Sequence, residues 1–190
     1  MHINGFRLAV IGVAVLFTLA VLMAGQHLVE NRTVDQPLEE LYRAHPAVET
    51  FAINETPEQL EISIKLKRID NLPQSYRELE EKTRAILGDR QFRLTVEDER
   101  NRDLEEVYYH LHYDLEEAVA TGHFSMMAER VEKKARALGV GKYKLYVDEN
   151  YVYLALYQED GYLYELIPRG VNANRTLAKT TYGLEVGGGR

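Results

Sequence analysis

One uninterrupted apolar run near the N-terminus, residues 8–25, constrains this chain more than any other feature, because Thr18 is its only polar side chain. A helix of about 18 residues rises roughly 27 Å, which is close to the ~30 Å hydrocarbon core of a bilayer. The run has no polar face at helical spacing, so a buried helix of a soluble protein is disfavoured. It predicts a transmembrane helix, which makes the membrane the first expected partner of the chain.

A cleaved signal peptide is the alternative interpretation of this run. The apolar core of a signal peptide is usually ~7–15 residues long and ends in a site with two small residues. Leu22 and Met23 stand where the first small residue would be needed, so an uncleaved signal-anchor is preferred. Because Arg7 lies in a very short N-terminal tail, we expect that tail in the cytoplasm and the following domain outside the cell membrane.

Composition limits the classes of function. The chain has 190 residues, a formal net charge of −7 and no cysteine. The acidic balance disfavours nucleic acid as a partner, since binding phosphates requires clustered positive charge. The lack of cysteine excludes disulfides, thiolate metal sites and cysteine nucleophiles. No motif indicates a cofactor.

The spacing of apolar residues predicts an α+β fold, in which an α-β-β-α-β unit is followed by an α-α-β-β-β unit and the helices pack on antiparallel or mixed sheets. In the first unit Leu60, Ile62 and Ile64 alternate with polar residues, as in a half-buried strand. The predicted segments are a short tail with the transmembrane anchor (1–25), a juxtamembrane linker (26–36), the first unit (37–98), the second unit (99–168) and a flexible tail (169–190).

Over residues 37–97 the predicted order helix–strand–strand–helix–strand is similar to that of the ring-building modules of membrane-anchored secretion and sporulation proteins. It is equally similar to that of the cytoplasmic domains of cation-diffusion transporters. The resemblance is one of element order without a shared motif residue, so it implies no functional site in this chain.

Glu106, His110 and Asp114 are the best metal-ligand candidates in the sequence. Their spacing of four residues places them on one stripe of a predicted helix, and carboxylates with an imidazole suit a divalent cation. A charged stripe opposite an apolar one is, however, what a surface helix ordinarily shows. The interpretation as a solvated helix face is preferred, and the three residues stay weak metal candidates.

A tyrosine-rich face on the predicted C-terminal hairpin is more suggestive. Its strands alternate tyrosine with aliphatic residues, which predicts an aliphatic face in the core and a tyrosine face that is partly exposed. Exposed tyrosine is typical of recognition surfaces, although tyrosine also favours strands in general. The predicted interaction surface consists of Tyr151, Tyr153, Tyr157, Tyr162 and Tyr164.

We therefore expect a single-pass membrane protein whose extracytoplasmic α+β domain is a protein-interaction or assembly module, with a protein partner or a second copy of itself. A membrane-tethered ligand- or metal-sensing domain is the alternative. An enzyme is less favoured, because the sequence offers no nucleophile and no acid–base pair in a recognisable context.

Overall fold

The computed structural model describes residues 15–19 and 35–169 of the chain. Residues 15–19 are helical and exposed. Among the described residues, no helix is both long enough and apolar enough to cross a membrane. The rest of the predicted transmembrane helix, nearly all of the predicted linker and the tail beyond residue 169 lie outside the described residues.

From residue 36 onward the fold is α+β, with two three-stranded sheets. The elements, in chain order, are α1 (Gln36–Ala44), β1 (Val48–Glu55), β2 (Leu60–Leu66), α2 (Leu72–Leu87), β3 (Phe92–Glu97), α3 (Arg102–Thr121), α4 (Phe124–Ala137), β4 (Lys142–Val147), β5 (Tyr151–Tyr157) and β6 (Tyr162–Pro168). This is the order that the apolar spacing predicts. The chain divides into two compact units, Met1–Leu41 and Tyr42–Arg190, and the packing described below is that of the second unit.

The first sheet has the strand order β1-β2-β3, with β1 antiparallel and β3 parallel to β2. A parallel pair needs a crossover connection, which α2 supplies. The alternation in β2 buries Ile62 and Ile64 on one face, as predicted, while Glu61 and Ser63 on the other face are half-buried. The guanidinium of Arg84 lies 5.4 Å from the centre of the Phe92 ring, which places α2 beside β3.

The second sheet is an antiparallel meander of order β4-β5-β6. Strands β5 and β6 are buried along almost their whole length, so both of their faces are covered. The aliphatic face packs against α3 and α4 in one apolar core. Its members include Leu104, Leu111, Leu115, Val131, Val152, Leu154, Leu156, Leu163 and Ile167.

The two sheets meet where β6 begins. The Tyr162 backbone N–H donates to the Glu99 carbonyl oxygen at 3.0 Å, just after the end of β3. A Cβ atom at Gly161 would lie 2.7 Å from that same oxygen. Gly161 is therefore required by the close approach of the chain, since β6 could not reach residue 99 with any larger residue before it.

Candidate interaction surface

The tyrosine face of β5 and β6, which the sequence predicts as a partly exposed interaction surface, is buried. Tyr151, Tyr153, Tyr157, Tyr162 and Tyr164 are each 5% exposed or less. The expected exposure is therefore wrong, because this face is covered from within the chain by α2 and by the residues 66–70 that lead into it. The Tyr76 ring on α2 packs edge-on against Tyr151, with ring centres 5.3 Å apart.

The hydroxyls of three of the five tyrosines hydrogen-bond to the backbone of the 66–70 segment. Tyr162 donates to the Leu66 carbonyl oxygen at 2.6 Å, and Tyr157 donates to the Ile69 carbonyl oxygen at 2.6 Å. The Ile69 N–H in turn donates to the Tyr164 hydroxyl oxygen at 2.7 Å. Backbone groups at and just after the end of β2 thus find hydrogen-bond partners in side chains. The tyrosine face is an internal contact between β5–β6 and the end of β2.

The three metal-ligand candidates on α3 do not converge. His110 Nε2 lies 4.0 Å from Glu106 Oε1, and both side chains are exposed. Asp114 is 7% exposed and faces α4, with Lys134 Nζ at 2.6 Å and Arg130 Nη1 at 3.5 Å. The spacing of four residues places all three on one side of α3. Asp114, however, is held in an ion pair with Arg130 and Lys134 of α4, and it does not meet the other two side chains. Within residues 15–19 and 35–169 no three histidine, aspartate or glutamate side chains form a metal-binding group.

A buried charge cluster that sequence reasoning missed lies at the junction of the sheets. The Arg100 guanidinium donates to both Asp98 oxygens, at 2.9 Å and 2.7 Å, and to Glu165 Oε1 at 3.0 Å. Asp98 also accepts the Tyr164 backbone N–H at 2.7 Å. Glu165 stands on the aliphatic face of β6, opposite Leu154 of β5. This cluster ties the β3–α3 connection to β6.

Burial raises the pKa of the Glu165 carboxyl from 4.5 to about 7. The Arg100 guanidinium and a hydrogen bond from Tyr108 lower this pKa, whereas the negative charge of Asp98 raises it further. The folded protein therefore holds the Glu165 proton more tightly than the unfolded chain does. This group stabilises the fold most below pH 4.5, and its contribution is lost as the pH rises towards about 7.

We expect a measurable pH dependence from this carboxyl. Glu165→Gln keeps the shape of the side chain and removes its titration. Between acid and alkaline pH the wild type should lose on the order of 3 kcal/mol of unfolding free energy relative to this variant. Urea unfolding of the full-length chain in detergent at several pH values measures the difference. A constant difference between the two proteins at every pH would contradict the assignment.

In contrast to the buried tyrosine face of β5 and β6, an aromatic patch on α3 is exposed. We define the α3 aromatic patch as Tyr109, His112 and Tyr113. Tyr109 is 50% and Tyr113 is 63% exposed. The His112 ring centre lies 5.4 Å from that of Tyr109 and 3.8 Å from that of Tyr113, and the two tyrosine rings are 6.3 Å apart. The three rings thus form a contiguous surface on the side of α3 away from the apolar core.

Acidic side chains surround the α3 aromatic patch. Glu105 and Glu116 lie one turn before Tyr109 and one turn after Tyr113 and are exposed. Within the described part of the chain, neither carboxylate has a lysine or arginine nitrogen within 4.0 Å. Two cations of α4 are engaged elsewhere, since Arg130 pairs with Glu117 at 2.5 Å and Lys134 pairs with Asp114. The patch is therefore aromatic at its centre and negative at its edge.

A shallow recess lies between strands β4 and β5 and the start of α2. It has an empty volume of about 210 Å³, including space open to solvent, and its lining includes Asp70, Lys144, Tyr146 and Tyr153. Lys144 Nζ pairs with Asp70 at 3.2 Å. Pockets that enclose small-molecule ligands are usually ~300–1,000 Å³, so this recess is small for such a role.

Comparisons with known protein families, curated proteins and solved structures find no match to this chain. The chemistry of the described surface is therefore what supports a function. The α3 aromatic patch combines large exposed rings, a rigid helical support and unpaired acidic neighbours.

Proposed function

We propose that this chain is a single-pass membrane-anchored protein whose extracytoplasmic α+β domain is a protein-interaction or assembly module. The observation that carries the proposal is the α3 aromatic patch, where Tyr109 and Tyr113 stay largely exposed. The five tyrosines of the hairpin are buried and contact the chain itself, so the α3 aromatic patch takes their place as the proposed interaction surface.

The geometry of α3 favours binding of a macromolecule at this patch. Leu104, Leu111 and Leu115 are fully buried beneath the helix and hold it against the second sheet. Tyrosines on a rigid support lose little conformational entropy when a partner covers them. Tyrosine is also enriched among the residues that contribute most to binding energy in protein interfaces.

The membrane anchor rests on the apolar run of residues 8–25. Its length matches a bilayer, and Leu22 and Met23 stand where a cleavage site would need its first small residue. A short basic N-terminal tail supports an orientation with the domain outside the cytoplasm. In this arrangement the anchor keeps the protein at the membrane, where membrane-associated partners are found.

A ligand- or metal-sensing domain has less support. The recess beside Lys144 is small for an enclosed ligand. Of the metal-ligand candidates, Asp114 is engaged by Arg130 and Lys134. An enzyme has less support still, because neither the α3 aromatic patch nor the recess pairs a nucleophile with a base.

Membrane attachment and interaction are tested in one experiment. A photo-crosslinking amino acid replaces Tyr113 in the full-length protein in cells, and the same amino acid replaces exposed Glu81 of α2 as the control. We expect the protein in the membrane fraction after high-salt extraction, with its N-terminal residues retained. We also expect a discrete adduct from position 113 that is lost when Tyr109→Ala is added.

The substitutions themselves should not disturb the fold. Because both side chains are exposed, Tyr109→Ala with Tyr113→Ala is expected to change the unfolding free energy by less than about 0.5 kcal/mol. A mature chain that starts near Gln26 would overturn the anchor. An adduct pattern identical at positions 113 and 81 would overturn the interaction surface.

A further inference from the structure

We infer that the α3 aromatic patch binds an arginine-bearing segment of a partner protein, an inference that rests on the proposed interaction function. The patch supplies two kinds of group that recognise a cation. Tyr109 and Tyr113 present exposed aromatic rings, and Glu105 and Glu116 present carboxylates one turn away on either side.

The charge distribution of α3 determines the sign of the partner. Along the exposed stripe, Arg102 is the one cation against the acids Glu105, Glu106 and Glu116. Of these acids, Glu106 has His110 at 4.0 Å, while Arg130 and Lys134 point to Glu117 and Asp114. The stripe is therefore net negative, and the ion pairs between α3 and α4 do not involve Glu105 or Glu116. A partner that meets it must supply positive charge.

Arginine fits this arrangement better than lysine does. A guanidinium is planar, stacks on aromatic rings and donates two parallel hydrogen bonds to a carboxylate. Rings 6.3 Å apart with carboxylates one helical turn away let one guanidinium stack while its N–H groups reach an acid. An ammonium group can use the charge but not the stacking geometry.

A second copy of the chain is a poorer occupant, because the protein carries a net charge of −7 and like charges repel at an interface. An anionic lipid surface is disfavoured for the same reason. The segment 170–190 of this chain also holds Arg175, Lys179 and Arg190. This segment could supply the same cationic groups to the patch, and the experiment distinguishes it from a partner protein.

The test measures binding of three short fluorescent peptides to the full-length protein in nanodiscs of zwitterionic lipid. One peptide alternates arginine with serine, the second replaces arginine with lysine, and the third replaces it with citrulline, which has nearly the shape of arginine and no charge. We expect the arginine peptide to bind most tightly, the lysine peptide less tightly and the citrulline peptide least, with affinity falling as salt rises.

Two double variants locate the site. Glu105→Gln/Glu116→Gln and Tyr109→Ala/Tyr113→Ala should each weaken binding of the arginine peptide about fivefold or more. The matched control Glu58→Gln/Glu81→Gln changes the net charge equally at exposed positions outside α3. It should leave the affinity within about twofold, because distant exposed charges are screened.

Three outcomes would overturn the inference. The citrulline peptide binds as tightly as the arginine peptide, or the control variant weakens binding as much as the patch variants do. In the third, the peptide binds only after residues 170–190 are removed, and the chain itself then occupies the patch. An adduct at position 113 without peptide binding would leave the interaction function standing and remove its cationic partner, so the two failures are distinguishable.

Discussion

Replacing Tyr164 by alanine is expected to lower the free energy of unfolding by about 3–5 kcal/mol, as for other large buried aromatic side chains. The Tyr164 side chain is 1% exposed, and its ring centre lies 5.1 Å from that of Tyr162. The substitution removes the ring and also the hydroxyl that accepts from the Ile69 N–H at 2.7 Å. Urea unfolding of the full-length protein in detergent measures the loss.

Tyr164→Phe separates the hydroxyl from the ring. It should cost about 1–3 kcal/mol, because the Ile69 N–H loses its acceptor in a partly buried position. The exposed Tyr109 is the control, and Tyr109→Phe should leave stability unchanged within about 0.5 kcal/mol. If Tyr164→Ala unfolded no more easily than Tyr109→Ala, the tyrosine face would not be the internal contact described above.

Arg100→Leu is expected to destabilise the protein by about 3–5 kcal/mol at neutral pH, because it leaves two buried carboxyls without their cation. Asp98 and Glu165 have side chains only 1% and 2% exposed, and Arg100 is the guanidinium between them. Burial lowers the pKa of Arg100, but hydrogen bonding and charge from Asp98 and Glu165 outweigh this and raise it. The arginine therefore stays charged at neutral pH.

A second substitution keeps this prediction specific. Asp98→Asn/Arg100→Leu replaces the carboxylate that accepts two Arg100 hydrogen bonds with a neutral amide, and it should recover part of the stability lost in Arg100→Leu. Arg136→Leu is the matched control, since that arginine is 77% exposed in an ion pair with Glu132 on α4. It should cost less than about 1 kcal/mol. Equal losses from Arg100→Leu and Arg136→Leu would contradict the role of the buried cluster.

Local periodicity was enough to predict the element order and the buried faces of several strands. In β2 the alternation of Leu60, Ile62 and Ile64 with polar residues directly reports which face meets the core. In α3 the spacing of Leu104, Val107, Leu111 and Leu115 reports the same for a helix. Those positions also leave Tyr109 and Tyr113 on the opposite side, so the sequence contained the signal for the α3 aromatic patch.

What lies over a face is not encoded in its periodicity. The hairpin pattern correctly placed the five tyrosines on one side of β5 and β6, yet their burial depends on α2 and the 66–70 segment, both remote in sequence. Asp114 illustrates the same limit, because its ion pairs come from the next helix. The predicted boundary between the two units falls between residues 98 and 99, whereas Asp98 and Arg100 belong to one buried cluster with Glu165.

The contact between β6 and the end of β2 has a consequence for biosynthesis. Tyr162 and Leu66 are separated by 96 residues along the chain. A ribosome adds ~5–20 residues per second, so roughly 5–20 s pass between synthesis of the 66–70 segment and synthesis of the tyrosines that hydrogen-bond to its backbone. During that interval the strands of the first sheet are all completed, but the 66–70 segment lacks the tyrosines that cover it. Of the described elements, β6 is synthesised last; it completes the second sheet and brings Tyr162 and Tyr164 onto the end of β2, so this chain is expected to acquire much of its stability late in synthesis.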